Sequence, residues 1–186
     1  IDVSKWQGRI NWNLVKADGV KFAMLRSSFG RGPGNKDILF ETNYENAKKL
    51  GIHVGAYHYS YARTPEEAVM EAEYCHSVLK DKVFEYPIAY DMEESGVAAL
   101  GKEKISQIAK AFCEKMEGYG YYVCIYANKH WLDNYFTDEI FKKYGVEYAP
   151  FGVILDHKRR VLWQGNPNML DKKKIENIIQ QWTLQR

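Results

Sequence analysis

The sequence predicts an α/β protein with five strand–helix units around a parallel sheet, arranged either as a barrel or as a doubly wound sheet. Short buried apolar runs alternate with amphipathic helical segments over the first two thirds of the chain, as they do in such folds. No linker, repeat or low-complexity segment interrupts this alternation. A chain of 186 residues is long enough for one sizeable core, so we treat residues 1–186 as a single domain.

The strands and helices are predicted from apolar runs and from the caps and glycines that bound them. The predicted strands are residues 1–3, 22–26, 53–61, 88–90 and 121–127. The predicted helices are residues 13–17, a segment ending at Gly51, a segment after Thr64, and a segment from about Lys102 to Gly118. Thr64 is the predicted N-cap of its helix, with Pro65 at the first position and Glu67 as capping-box partner.

The amino-acid composition favours some classes of function and argues against others. The aromatic share is 15%, with 14 Tyr and 5 Trp, and such rings stack on sugars as well as filling cores. A net charge of +2 is too small to indicate nucleic acid, and no apolar run approaches the ~18 residues of a membrane span. The three cysteines and five histidines lack metal-ligand spacing, so we expect free thiols and neither a metal nor another cofactor.

An acidic stretch directly follows the fourth predicted strand and contains Asp91, Glu93 and Glu94. Side chains alternate between the two faces of a strand, so Asp91 and Glu93 should point the same way and Met92 the other way. Two adjacent acids without a neighbouring base have separated pKa values, and one of them keeps its proton near neutral pH. Such a pair suits acid-catalysed cleavage of a glycosidic bond. The alternative is that these acids only begin a solvated loop.

Other polar and aromatic residues also fall at or near the ends of predicted strands. Asp2 belongs to the first strand, Tyr57 and Tyr59 to the third, and Tyr126 to the fifth. Barrels of this kind build their active sites from residues at the carboxyl ends of the strands. We therefore expect Asp2, Asp91 and Glu93 to converge, with Tyr57 and Tyr126 nearby.

Five segments of the chain carry a resemblance to a known family. They are residues 2–12 (DVSKWQGRINW), 22–26, 55–59, 87–93 and 125–128. Together and in this order they resemble glycoside hydrolase family 25, the Chalaropsis-type lysozymes found in phage endolysins and bacterial autolysins. The resemblance implies an irregular TIM-like barrel of five strand–helix units followed by about three strands. It also implies a muramidase, which cuts the β-1,4 bond between N-acetylmuramic acid and N-acetylglucosamine in peptidoglycan.

The resemblance also implies roles for individual residues. Glu93 would be the general acid, Asp91 its partner in the Asp-x-Glu motif, and Asp2 the carboxylate of the first strand. Negative charge on Asp91 and Asp2 would stabilise the oxocarbenium-like transition state. The implied substrate-binding residues are Tyr57, Tyr59, Tyr126, Trp182 and Arg26. His58 could assist, although a histidine in a strand is more often a structural residue. The spacing does not distinguish retention through a covalent intermediate from inversion. The acetamido group of the sugar, oriented by Asp91, could also act as the nucleophile, and we favour that route.

The carboxyl-terminal third departs from the family pattern. The segment 180–183 resembles the usual Trp-Gln-Tyr strand with Gln180 in place of Trp, and the expected final strand with its aspartate is absent. We expect residues 151–155, 161–163 and 178–182 to be the three strands after the fifth unit, so that the barrel closes. Asp156 could then replace the missing aspartate, although a plain turn acid is the more common role for such a residue.

These inferences give an expected function with two alternatives. The expected protein is a monomeric peptidoglycan hydrolase that acts at the bacterial cell wall, with no nucleic-acid or membrane partner. The chain begins in a strand-like segment without the pattern of a signal peptide. The alternatives are a non-catalytic or weakly active glycan-binding protein on the same fold, and a chitinase-like hydrolase.

Overall fold

The computed structural model describes residues 1–144, 152–155 and 161–165. The chain divides into two compact units, residues 1–146 and residues 147–186. The first unit contains one sheet with its helices, and the described part of the second contains a pair of strands. None of the described helices is both long and apolar enough to cross a lipid bilayer.

The sheet of the first unit has five parallel strands in the order of the chain. They are β1 (Asp2–Val3), β2 (Phe22–Phe29), β3 (His53–Tyr59), β4 (Ile88–Asp91) and β5 (Val123–Tyr126). The five predicted strand–helix units with a parallel sheet are confirmed. Closure into a TIM-like barrel is not, because β1 and β5 do not pair and the sheet stays open within the described residues.

Six α-helices accompany the sheet in the described part of the chain. They are α1 (Trp12–Ala17), α2 (Phe40–Lys49), α3 (Pro65–Leu79), α4 (Lys102–Gly118), α5 (Lys129–Tyr135) and α6 (Asp138–Tyr144). The start of α3 is as predicted: the Thr64 hydroxyl accepts the backbone N–H of Glu67 at 3.2 Å, and Pro65 is the first helical residue. The carboxylate of Glu67 in turn accepts the N–H of Arg63 at 2.7 Å.

One face of the sheet packs on α3 and α4, and we call it the helix face. Leu25, Ala56 and Ile88 are buried on it at neighbouring positions of β2, β3 and β4. Tyr90 on β4 stacks on Phe112 of α4 with 3.8 Å between the ring centroids. The three cysteines are free, as expected, with Cys75 and Cys113 buried and Cys124 partly buried.

Strand β2 contains a β-bulge that the sequence did not reveal. Arg26 pairs with Tyr57 and Ser28 with the next residue, His58, so Ser27 is an extra residue in β2. Ser27 and Ser28 are both fully buried, and the Ser27 hydroxyl donates to the Tyr57 carbonyl at 3.0 Å. The bulge therefore puts Arg26 and Phe29, three residues apart, on the same face of the sheet, opposite the helix face.

The second unit contributes an antiparallel pair, β6 (Gly152–Leu155) and β7 (Val161–Gly165). Strands were predicted at both places, and the structure pairs them with each other. The third predicted strand, residues 178–182, lies outside the described residues, as do Asp156 and Trp182.

Candidate active site

The face of the sheet opposite the helix face carries most of the predicted site, and we call it the open face. Side chains at paired positions of parallel strands point the same way. Two neighbouring rows cross this face: Arg26, Tyr57, Ala89 and Cys124 form the first, and Phe29, Tyr59, Asp91 and Tyr126 the second. Asp91 therefore lies between two tyrosines at the carboxyl end of the sheet. Tyr126 is 43% exposed, so this end of the face is accessible to a ligand.

Asp91 is a buried carboxyl group, with only 6% of its surface exposed. Its pKa is raised to about 8, first by burial and then by the negative charges of Glu93 and Asp2, against the opposing effect of Arg26. Its Oδ1 atom is buried and makes no hydrogen bond within the described part of the chain. In the ligand-free structure Asp91 therefore carries a proton near pH 7, whereas the sequence interpretation gave this residue a negative charge.

Asp2 reaches the same place from β1. Burial raises its pKa, while the hydroxyl of Tyr57 and the charge of Arg26 lower it. The pKa of Tyr57 is raised well above its usual value by burial and then by the charge of Asp2. Tyr57 thus stays a neutral hydroxyl that can donate a hydrogen bond to Asp2. The structure brings Asp2, Asp91 and Glu93 together at the carboxyl ends of β1 and β4.

Glu93 lies two residues beyond Asp91, with the intervening Met92 buried on the other side. The N–H of Met92 donates to the Tyr126 carbonyl at 2.8 Å, which continues the strand pairing past the end of β4. The amide of Asn128 donates to Glu93 Oε2 at 3.2 Å. The other end of that amide accepts the N–H of Trp131 at 3.1 Å and so caps α5. Asn128 therefore ties Glu93 to the start of a helix.

The aromatic residues of the site border the acidic groups. The hydroxyl of Tyr59 donates to Glu94 Oε2 at 3.2 Å. The pKa of Tyr126 is raised by burial and then by the charges of Glu93, Asp91 and Asp2, and Tyr126 pairs with Asp91 across the sheet. Rings next to carboxyl groups are suited to a sugar, which has apolar faces and polar edges.

Arg26, predicted to bind substrate, is engaged within the protein. Its Nε and Nη2 atoms lie 2.9 and 2.8 Å from Oδ2 of the buried Asp37. The same oxygen accepts the backbone N–H of Lys5 at 2.9 Å, and Oδ1 accepts that of Leu39 at 3.0 Å. Asp37 therefore ties β2 to the turn at Lys5, and the charge of Arg26 still acts on Asp2 and Asp91.

A buried polar network on the helix face supports the ends of β3 and β4. Glu71 of α3 accepts the Tyr61 N–H at 2.8 Å and the Tyr90 hydroxyl at 2.7 Å. His58 is fully buried, 2.8 Å from the Ser28 hydroxyl, and burial lowers its pKa to about 3. His58 is thus a neutral structural residue on the face away from the carboxyls, so the suggestion that it assists the site is wrong.

Sequence reasoning missed two residues that shape the site, Asn128 and Asp37. Asn128 could have been found as an N-cap residue that directly follows a strand end. Asp37 has no such local signal, since its partner Arg26 is 11 residues away. Trp182 and Asp156 lie outside the described residues. No cluster of potential metal ligands occurs among the residues that the structure describes.

The arrangement defines a class of protein. Carboxyl groups at the carboxyl ends of parallel strands, with aromatic rings on the same face, are typical of glycoside hydrolases with α/β folds. The chain belongs to the glycosyl hydrolases family 25, whose family model matches residues 1–164. The matched region contains every described site residue, and it extends into the second unit.

Individual relatives agree with this assignment. The chain is similar to Lysozyme M1 of Streptomyces globisporus, with 48% identity over 60 residues, 32% of this chain and 20% of that protein. It is similar to the autolytic lysozyme of Clostridium acetobutylicum, with 27% identity over 142 residues, 75% of this chain and 40% of the relative. The modular autolysin LytC of Streptococcus pneumoniae has a similar structure, with a TM-score of 0.65 and 25% identity, over 72% of this chain and 33% of LytC. The chain thus spans less than half the length of each of these proteins.

Proposed function

We propose that the protein is a muramidase that hydrolyses the β-1,4 bond between N-acetylmuramic acid and N-acetylglucosamine in peptidoglycan. The observation that carries this proposal is the convergence of Asp2, Asp91 and Glu93 beside Tyr59 and Tyr126 in a chain of family 25. Two of the similar proteins are named lysozymes, and the solved structure of LytC is described as a complex with a synthetic peptidoglycan ligand.

Glu93 is the proposed general acid. It follows β4, is less buried than Asp91, and lies at the open end of the cleft beside Tyr126. It donates its proton to the glycosidic oxygen as the bond from that oxygen to the anomeric carbon breaks. The Asn128 amide fixes the direction of its carboxyl group. After the first sugar leaves, the ionised Glu93 can accept a proton from the attacking water.

Asp91 and Glu93 share a proton in this proposal. The charge of Glu93 is one of the causes that raise the pKa of Asp91, so protonating one carboxyl makes the other easier to ionise. The resting site holds a proton on Asp91, and in the reactive form Glu93 is the proton donor while Asp91 carries the charge. The site therefore needs one proton on the pair, and it should lose activity as pH rises through about 8.

The acetamido group of the substrate is the proposed nucleophile. A protein nucleophile must reach the anomeric carbon directly, whereas the carboxyl group of Asp91 is buried. The buried Asp91 Oδ1, which makes no hydrogen bond within the described residues, can accept the acetamido N–H instead. That contact orients the acetamido oxygen toward the anomeric carbon and stabilises the positive charge that develops there.

We further propose that residues 1–186 form one catalytic domain and that the protein acts as a monomer at the cell wall, without a cofactor. The match of the family to residue 164, past the boundary between the two compact units, supports a single domain. The proposed partner is peptidoglycan alone.

The test is lysis of purified bacterial cell walls by the parent and by Glu93→Gln, with chitin oligomers as the second substrate. The substitution keeps the shape of the side chain and removes its proton, so turnover should fall by about 10²–10⁴-fold while binding to walls persists. Glu103→Gln, at an exposed position in the first turn of α4, is the matched control and should keep the parent rate.

The outcomes separate the possible functions. Lysis by the parent and its loss in Glu93→Gln support the proposal. A parent that binds cell walls without cleaving them would identify a glycan-binding protein. A parent that cleaves chitin oligomers but not cell walls would identify a chitinase-like enzyme. Near-parental lysis by Glu93→Gln would exclude Glu93 as the acid.

A further inference from the structure

A cleft lies next to the carboxyl cluster on the open face. It has a volume of about 280 Å³, close to the lower end for ligand sites. Its lining residues are Lys5, Trp6, Arg26, Phe29, Tyr59 and Tyr61. Tyr59 pairs with Asp91 across the sheet, so this cleft begins one strand away from the acidic groups. We call it the Lys5 cleft.

The backbone that carries Lys5 and Trp6 is firmly held. Both residues belong to a short 3-10 turn that Ser4 caps, with the Trp6 N–H donating to the Ser4 hydroxyl at 3.3 Å. The Lys5 N–H is held by the buried Asp37 at 2.9 Å. Trp6 is nevertheless 75% exposed. A fixed turn that presents a large ring to solvent is prepared for a ligand, because little conformational freedom is lost on binding.

The charge in the cleft comes from Lys5. Its Nζ lies 4.9 Å from the centre of the Trp6 ring and 5.9 Å from that of Phe29. No carboxylate among the described residues forms an ion pair with this ammonium group. Arg26, the other cation of the cleft, is already paired with Asp37. Lys5 is thus available to an anion, between two rings that can hold an apolar group.

We propose that the Lys5 cleft binds the carboxylate-bearing arm of a muramoyl residue, with the Lys5 ammonium group paired to the carboxylate. This inference rests on the proposed function, and it specifies which feature of the substrate is recognised. The arm ends either in the lactyl carboxylate or in a carboxylate of the attached peptide, and both offer an anion next to an apolar chain. Trp6 and Phe29 cover the apolar part. An N-acetylglucosamine oligomer lacks this arm and cannot make the contact.

The test measures binding in the Glu93→Gln background, so that no substrate is consumed. Titration calorimetry is run with a peptide-free glycan tetrasaccharide that has free lactyl carboxylates, with a muropeptide, with the same muropeptide after its carboxyls are amidated, and with chitotetraose. Lys5→Met keeps the length and apolar character of the side chain and removes its charge. Lys21→Met is the control, because Lys21 is exposed at the start of β2, at the other end of the strands.

Lys5→Met should raise the Kd of the carboxylate-bearing ligands by about three- to tenfold, the usual range for one partly exposed ion pair. It should leave the Kd of chitotetraose and of the amidated muropeptide unchanged. Lys5→Arg should retain affinity, and Lys21→Met should match the parent background. The carboxylate ligand that loses more affinity identifies the part of the arm that is bound.

Equal Kd values for Lys5→Met and its background on every ligand would overturn the inference, and so would an equal loss on all four. The result is independent of turnover. A protein that binds as expected but never cleaves walls would contradict the proposed function and leave the Lys5 cleft as a binding site. A protein that cleaves walls but whose binding does not depend on Lys5 would support the proposed function and contradict the role of the Lys5 cleft.

Discussion

The pKa of Asp91 makes a prediction about stability. Its value is raised from 3.8 to about 8 in the fold, so the folded protein keeps a proton that the unfolded chain releases. Stability from this group is complete below about pH 4 and is lost progressively as pH rises to about 8. At about 1.4 kcal/mol for each tenfold change in proton affinity, the full loss is at most about 5 to 6 kcal/mol. That is a large part of the roughly 5–15 kcal/mol by which a domain is folded.

The variant Asp91→Asn isolates the contribution that ionisation of Asp91 makes to stability. The amide has the shape of the acid but stays neutral, so its stability does not depend on ionisation at this position. Its two N–H donors enter a buried place and cost about 1–3 kcal/mol if they find no acceptor. The variant should therefore be less stable than the parent at pH 4 and more stable at pH 8, with the two curves crossing between about pH 4.5 and 6.

The assay is urea unfolding followed by circular dichroism at pH values from 4 to 9, on the parent, Asp91→Asn and the control Asp18→Asn. Asp18 is exposed at the end of α1, so its variant should follow the parent at every pH. Titrating groups that do not interact with Asp91 are shared by the proteins and cancel in the difference between their free energies of unfolding. A difference between the parent and Asp91→Asn that is constant with pH would refute the reasoning, because burial would then not hold a proton on Asp91.

Three further variants test neighbouring parts of the site. Asp2→Asn removes a negative charge that raises the pKa of Asp91, so the alkaline limb of kcat/KM in wall lysis should move to lower pH. Asn128→Ser keeps a capping hydroxyl for α5 but loses the amide bond to Glu93, so lysis should fall about tenfold while stability changes by less than about 0.5 kcal/mol. Gly55→Ala would put a Cβ 2.8 Å from the Pro87 backbone oxygen, and should destabilise the fold by about 1–3 kcal/mol in urea unfolding.

For each of these three variants, one outcome would contradict the prediction. An unmoved alkaline limb in Asp2→Asn would mean that this limb does not report the shared proton. An equal loss of stability and activity in Asn128→Ser would make the residue a helix cap alone. A Gly55→Ala protein with the parental midpoint would mean that β3 and the Pro87 loop can separate at no cost.

Much of the fold could be predicted because its signals are local. Apolar runs that reappear after each amphipathic helix indicated the five parallel strands, and Thr64 with Pro65 indicated the start of α3. The proximity of Asp2 to Asp91 also followed from the sequence, since parallel strands bring their carboxyl ends to one edge of a sheet.

The remaining features depend on three-dimensional surroundings. The proton on Asp91 could not be predicted, because residue spacing shows that two acids are close but not which one is buried. The pairing of Arg26 in β2 with Asp37 has no local sequence pattern that would reveal it. The bulge at Ser27 adds one residue to a strand, and the segment Arg26-Ser27-Ser28 has no composition that distinguishes a bulge from a regular strand. Closure of the barrel was inferred from resemblance and has no local signal at all.

That bulge limits how β2 could be exchanged with a relative. A regular strand would send Arg26 and Phe29 to opposite faces, whereas here the guanidinium group lies over the Phe29 ring at 5.7 Å. A crossover point inside β2 that deletes or duplicates one residue would move every later side chain of the strand to the opposite face of the sheet. Phe29 would then leave the cleft for the helix face, and Ser28 would leave His58. Chimeras of this chain should therefore transfer Phe22–Phe29 as one uninterrupted block.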